Sequence, residues 1–186
     1  MAIATRTYFT GLADVLAQLD TGAVDRLVAW IERTRRSGGT VYVLGNGGSA
    51  STASHLAVDL AKNTRRPDRP NLRAISLTEN AAVLTAWAND SCYEQVFAAQ
   101  LEGIVRPGDL VVAISASGNS PNVLAAVRVA EAAGAVTFAL TGFAGGRVAD
   151  LASDCVVVPS QSMQVIEDAH LAIVHSVVVA LCDQAC

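Results

Sequence analysis

The sequence predicts a doubly wound α/β sandwich, a parallel sheet with helices packed on both of its faces. Five short apolar, β-branched runs read as strands: VYVL at 41–44, AISL at 74–77, LVVAI at 110–114, VTFAL at 136–140 and CVVV at 155–158. Each is bounded by Gly, Ser, Asn or Pro, as strands commonly are. Between them lie stretches whose apolar residues recur at helical spacing, over 51–62, 81–87, 123–133 and a short one over 146–151. Strands and helices therefore alternate, and parallel strands joined by crossover helices are covered on both faces.

Ahead of the first strand, Leu12, Val15, Leu16 and Leu19, then Val24, Leu27, Val28, Trp30 and Ile31, recur every three or four residues and predict two helices. Gly38 and Gly39 end the second. Residues 1–38 are thus read as N-terminal helices and 39–186 as the α/β core of one domain, since 186 residues suit one sizeable core. The last run, 165–181, is apolar over most of its circumference, so it must be buried, and a subunit interface is the expected partner. The polar stretch NTRRPDRPNLR at 63–73 reads as a mobile loop near the first site.

Composition narrows the ligand. The formal net charge is −4, and basic residues cluster only as Arg33, Arg35 and Arg36 and as Arg65 and Arg66. That pattern argues against nucleic acid and against a polybasic membrane patch, leaving a small solute. The first residues lack an apolar core of signal-peptide length, and no apolar run reaches the roughly eighteen residues of a membrane span, so a cytoplasmic protein is expected. Cys92, Cys155, Cys182 and Cys186 have no metal-finger spacing and are read as reduced thiols.

Two strand-to-helix loops carry the chemistry: GNGGSAS at 45–51 after the first strand and SASGNSP at 115–121 after the third. Strand carboxyl ends at a topological switch form a crevice, and helix N-termini there offer unpaired N–H groups to an anion. Glycines permit close backbone approach and Ser hydroxyls donate to phosphate oxygens. Ser and Asn also simply cap helices and Pro suits the first turn, but two such loops with Ser115, Ser117 and Ser120 in the second favour a phosphate. Neither loop is a Walker A or a dinucleotide fingerprint.

At these residues the chain resembles the sugar isomerase (SIS) family, and GNGGSA with SASGNS resembles its phosphoheptose isomerase branch. The resemblance extends to Ala88-Asn89-Asp90, Leu140-Thr141-Gly142, Gly145-Gly146 and the helix holding His170 and His175. It implies a flavodoxin-like SIS fold and interconversion of sedoheptulose 7-phosphate with D-glycero-D-manno-heptose 7-phosphate. It places Asn46, Gly47, Gly48, Ser49, Asp59, Asn89, Asp90, Ser115, Ala116, Ser117, Ser120 and Glu167 at substrate-contacting positions. It also implies metal positions at His55, Asp59, Glu167 and His175, and a homotetramer with active sites at subunit interfaces. Where the family has Glu and Gln, this chain has Asp59 and Glu167, both of which retain oxygen ligands. The alternatives are a non-catalytic SIS module that binds a sugar phosphate or a protein, and an isomerase of a related seven- or eight-carbon ketose phosphate.

The chemistry agrees with an isomerase. Moving a proton between neighbouring carbons through an enediolate needs a base, an acid and stabilisation of the oxyanion. His55 and Asp59, four apart, share a helix face, and Zn²⁺ accepts both N and O ligands. Asp59 is expected to carry the carbon proton and His175 to serve the sugar oxygens. Eight helical residues place Glu167 and His175 about 12 Å apart, so either Glu167 precedes the helix or two subunits share the set. Glu79-Asn80 either line the crevice or cap a helix, and Trp30, Trp87 and Phe97 read as core or interface aromatics.

Overall fold

A computed structural model describes residues 2–183. The strands are β1 (Thr40–Gly45), β2 (Arg73–Ser76), β3 (Leu110–Ser115), β4 (Val136–Thr141) and β5 (Asp154–Val157). They form a parallel sheet in the order β2-β1-β3-β4-β5, so the winding reverses between β1 and β3. Register is set by the pleat: Val41 and Val43 of β1 face one apolar cluster while Tyr42 and Leu44 face another. On β3, Leu110, Val112 and Ile114 join the first cluster, and Val111 and Ala113 the second. A one-residue slip would exchange both sets, which fixes the pairing Val43 to Val112.

The helices are α1 (Ala2–Ala17), α2 (Thr21–Ser37), α3 (Gly48–Lys62), α4 (Ala81–Asp90), α5 (Ala98–Leu101), α6 (Pro121–Ala132), α7 (Gly146–Leu151) and α8 (Met163–Asp183), with a short 3₁₀ turn at Tyr93–Gln95. The Asp20 side chain caps α2 by accepting from Ala23 N–H, and Gly38 ends it at φ 68°, a conformation a Cβ disfavours. Asn80 caps α4 by accepting from Val83 N–H, which settles its role as a cap. Phe97 is core; Trp30 packs at its margin beneath the Arg33 guanidinium.

One face of α8 is buried within the chain, where Ile166, Ile173, Val174 and Val177 enter the cluster shared with α2 and α3, and the face that carries Val179, 57% exposed, remains for the expected subunit interface. Two expectations are corrected. By length and composition α8 also passes for a membrane span, contrary to the expectation that no run would, but half of its apolar window lies inside the fold. The 63–73 loop is not beside the first site. Because α3 runs from the carboxyl end of β1 back along the sheet, this loop lies at the opposite end, where Arg35 donates to Thr64 Oγ1 and Arg69 to the Leu181 carbonyl. Arg35 and Arg69 both reach Glu32, so the loop is tied to α2 and α8.

α4 is the exception to the packing. Its sequence, AAVLTAWAND, is apolar, yet none of its residues is buried and Trp87 is 41% exposed. Cys92, Cys155 and Cys182 are free thiols; Cys186 lies outside the described residues.

Candidate functional site

Where the winding reverses, the loops after β1 and β3 enclose a cleft of about 170 Å³ lined by Asn46, Ser49, the 115–117 segment, Ser120, Met163 and Glu167. α3 starts behind Gly47 and α6 behind Ser120, and neither helix is capped by a side chain. Both N-termini therefore leave backbone N–H groups and the positive end of the helix dipole available to an anion. Gly47 sits at φ 55°, and a Cβ on Gly45 would lie 2.8 Å from Ser49, so the tight turn into α3 needs these glycines. Ser115 Oγ donates to Ser120 Oγ at 3.3 Å, setting two hydroxyls on one wall.

The walls are braced from behind. Asn46 and the buried Asn122 exchange two amide hydrogen bonds of 2.9 Å, and the Tyr93 hydroxyl donates to Asn46 Oδ1 at 3.1 Å. Asn122 is 2% exposed and also accepts from Val123 N–H. The second loop rests on the turn after β4: Gly142 N–H donates to the Ala116 carbonyl at 2.9 Å, and Val148 N–H to the Gly118 carbonyl. A Cβ on Gly118, at φ 64°, would fall 2.0 Å from the Gly145 carbonyl, and one on Gly146 2.3 Å from the Ser117 carbonyl. These backbones touch only because both residues are glycine.

That turn is itself held by His170. Its ring is 1% exposed, and Nε2–H donates to the Thr141 carbonyl at 3.1 Å. Burial pushes its pKa down to about 4, against a smaller upward pull from the Thr141 carbonyl, so the ring is neutral. His170 is thus a core histidine.

A second cluster lies further along α3 and α8. His55 Nε2 stands 3.4 Å from Asp59 Oδ2 and 3.2 Å from His175 Nε2. The donor atoms of all three lie within 4.8 Å of one another. Asn63 Nδ2 donates to Asp59 Oδ1 at 2.8 Å, leaving Oδ2 turned towards the histidines. Zinc bonds of about 2.0–2.1 Å at tetrahedral angles separate neighbouring donors by about 3.3 Å, so the two short separations from His55 fit one small cation. Gly48, His55 and Asp59 recur at seven and four residues and so share one face of α3, against which α8 packs.

The predicted residues thus fall into two groups. Asn46, Ser49, Ser115, Ala116, Ser117, Ser120 and Glu167 line the cleft, with Gly47 and Gly48 forming its edge. His55, Asp59 and His175 come together as a metal-compatible set; Glu167 does not join them. Glu167 lies within α8, two turns before His175, which removes the option of its preceding the helix. Asn89 Nδ2 donates to Asp90 Oδ1 at the exposed end of α4, and neither residue lines the cleft. Sequence reasoning missed Asn122, Tyr93 and Met163. Only Asn122 carried a signal, a polar amide in the first turn of a helix whose other polar residues, Arg128 and Glu131, come in its second half.

The sequence pattern of the SIS domain family matches residues 7–142, and the chain belongs to that family. Within it, the chain groups with the phosphoheptose isomerases. It is 39% identical over 174 residues to the phosphoheptose isomerase of Akkermansia muciniphila, covering 92% of each chain. To that of Roseiflexus sp. it is 44% identical over 154 residues, 81% of this chain and 78% of the relative. Among solved structures, a phosphoheptose isomerase from Francisella tularensis superposes with a TM-score of 0.90 at 30% identity over 100% of both chains. One from Neisseria gonorrhoeae gives 0.90 at 27% identity over 97% of both.

Proposed function

We propose that the protein is an aldose–ketose isomerase that interconverts sedoheptulose 7-phosphate and D-glycero-D-manno-heptose 7-phosphate in the cytoplasm. The observation that carries this reading is the spacing of the two clusters. Seven residues of α3 separate Gly48 from His55, about 10 Å along the axis. Six C–C bonds of about 1.5 Å, zigzag, span roughly 8 Å, and the phosphate ester adds a few more. A seven-carbon sugar held by its phosphate in the serine cleft thus brings C1 and C2 to Asp59 and His175. The names of the relatives agree.

In this reading Ser115, Ser117 and Ser120 donate to the phosphate oxygens, and the α3 and α6 N-termini offset its charge. Asp59 takes a proton from C1 of the open-chain ketose while His175 protonates the oxygen on C2, giving the enediol. Asp59 then returns the carbon proton to C2 as His175 takes the proton of the C1 hydroxyl, leaving an aldehyde at C1. Both groups end in their starting protonation states. His55 and Asp59, joined by His175 when its Nε2 carries no proton, would hold a divalent ion such as Zn²⁺, which when bound supplies Lewis-acid polarisation of the carbonyl.

A homotetramer with shared sites belongs to the same proposal. The catalytic cluster lies amid exposed apolar side chains, with Val58 54% and Val179 57% exposed, and α4 presents Trp87. A second copy covering these faces would exclude water from the cluster and bring Asn89 and Asp90 to a neighbour's substrate. Light scattering after gel filtration tests the stoichiometry, and a monomer at micromolar concentration would refute it.

The test of the reaction is incubation with sedoheptulose 7-phosphate in deuterated water, followed by NMR. Aldose carrying deuterium at C2 is the expected result. Binding without exchange would instead favour another ketose phosphate or a non-catalytic sugar-phosphate module.

A further inference from the structure

Glu167 is an unusual neighbour for a phosphate. It lines the same small cleft as Ser115, Ser117 and Ser120, and it makes no hydrogen bond or ion pair with any described residue. Its carboxylate lies against the Cα of Gly48, the first residue of α3. A Cβ built there would be 2.5 Å from Oε2, 2.7 Å from Cδ and 2.8 Å from Oε1. The carboxylate therefore occupies the space that Gly48 leaves open, at an uncapped helix N-terminus. Part of the positive field of that end is spent on a charge the protein carries itself.

We infer that Glu167 is a specificity-determining residue: its fixed negative charge disfavours bare phosphate in the serine cleft and favours a phosphate that arrives with sugar hydroxyls. The inference rests on the cleft being the phosphate end of the proposed substrate. An ionised carboxylate only accepts hydrogen bonds. A polyhydroxylated sugar phosphate brings O–H groups that donate to Glu167 and compensate the repulsion. Inorganic phosphate brings only the one or two O–H groups of its own acid and no sugar hydroxyls, and it meets the carboxylate as a like charge within a small cleft. The discrimination suits a cell in which free phosphate far outnumbers any one sugar phosphate.

The test uses the full chain, with inorganic phosphate as the probe, measured by calorimetry and as a competitor of sedoheptulose 7-phosphate. Glu167→Gln keeps the shape and removes the charge. It is expected to bind inorganic phosphate about tenfold more tightly, the scale of one like-charge contact at a partly buried site. The KM for the sugar phosphate should not fall in step, so the ratio of the two affinities narrows. Glu167→Asp retains the charge and should keep phosphate binding weak. Phosphate affinity unchanged or weakened in Glu167→Gln overturns the inference. So does loss of bound zinc from that variant, because it would assign Glu167 to the ion. Wild-type turnover is scored separately: tighter phosphate binding by the variant of a protein that does not isomerise would sink the isomerase reading and leave this one standing.

Discussion

The serine cleft and the His55–Asp59–His175 cluster share helices α3 and α8 but are held in different ways. The cleft is formed largely by backbone: two helix N-termini, glycines in contact with carbonyls, and a wall fixed by the Asn46–Asn122 pair and the turn under His170. The cluster consists of three side chains, with His175 exposed and His55 half-exposed, and Asn63 is the one described group that orients it from outside. A backbone site tolerates loss of one side chain because many donors share the ligand. A side-chain site fails with any of its members. The proposed phosphate end should therefore degrade gradually and the proposed catalytic end abruptly.

The largest expected effect is at the catalytic end. His175→Ala should lower turnover by about a thousandfold, within the range for loss of a general acid–base group, and leave phosphate affinity nearly unchanged. Comparable losses of both would erase the distinction between the two ends. Next is Gly118→Ala, which strains a residue at φ 64° and drives a methyl into the Gly145 carbonyl. A loss of about 3 kcal/mol is expected in urea unfolding, with the surviving folded protein binding phosphate poorly while the His55–Asp59–His175 cluster is unaffected.

The brace under the cleft should respond to acid. His170 is neutral in the fold with a pKa near 4, while in the unfolded chain it titrates at its ordinary value of 6.5. Stability from keeping it neutral is complete above pH 6.5 and lost as pH falls towards 4, at about 1.4 kcal/mol per pH unit. Urea unfolding at pH 5 against pH 7 should show a drop of about 2 kcal/mol that His170→Gln reduces. An identical pH slope in the variant would remove His170 from this role. The smallest effect is Ser117→Ala, which should weaken every phosphorylated sugar by about tenfold without changing preference among them, the value of one hydrogen bond to a charged group. A change confined to one sugar would move Ser117 out of the phosphate end.

Much of this was legible in the sequence because it is written locally. The five runs of β-branched residues fall on the five strands, and the loops at 45–51 and 115–121 fall on either side of the winding reversal. What the sequence hid depends on tertiary placement. The apolarity of 165–181 showed that α8 is buried but not against what, and for one face the answer is α2 and α3 of its own chain. The helical spacing of Glu167 and His175 gave their separation, yet only packing against α3 assigns one to Gly48 and the other to His55. Asn122 and Tyr93 act through Asn46, 76 and 47 residues away, and local spacing does not encode such distant pairings.

The central claim is that binding and proton transfer occupy separate ends of one site. Asp59→Asn tests it most directly: the variant is mixed with sedoheptulose 7-phosphate in deuterated water, and binding and deuterium incorporation are followed on the same sample. The account predicts near-normal binding with no deuterium entering C1 or C2. Loss of binding together with exchange, or exchange that continues at the wild-type rate, would contradict it.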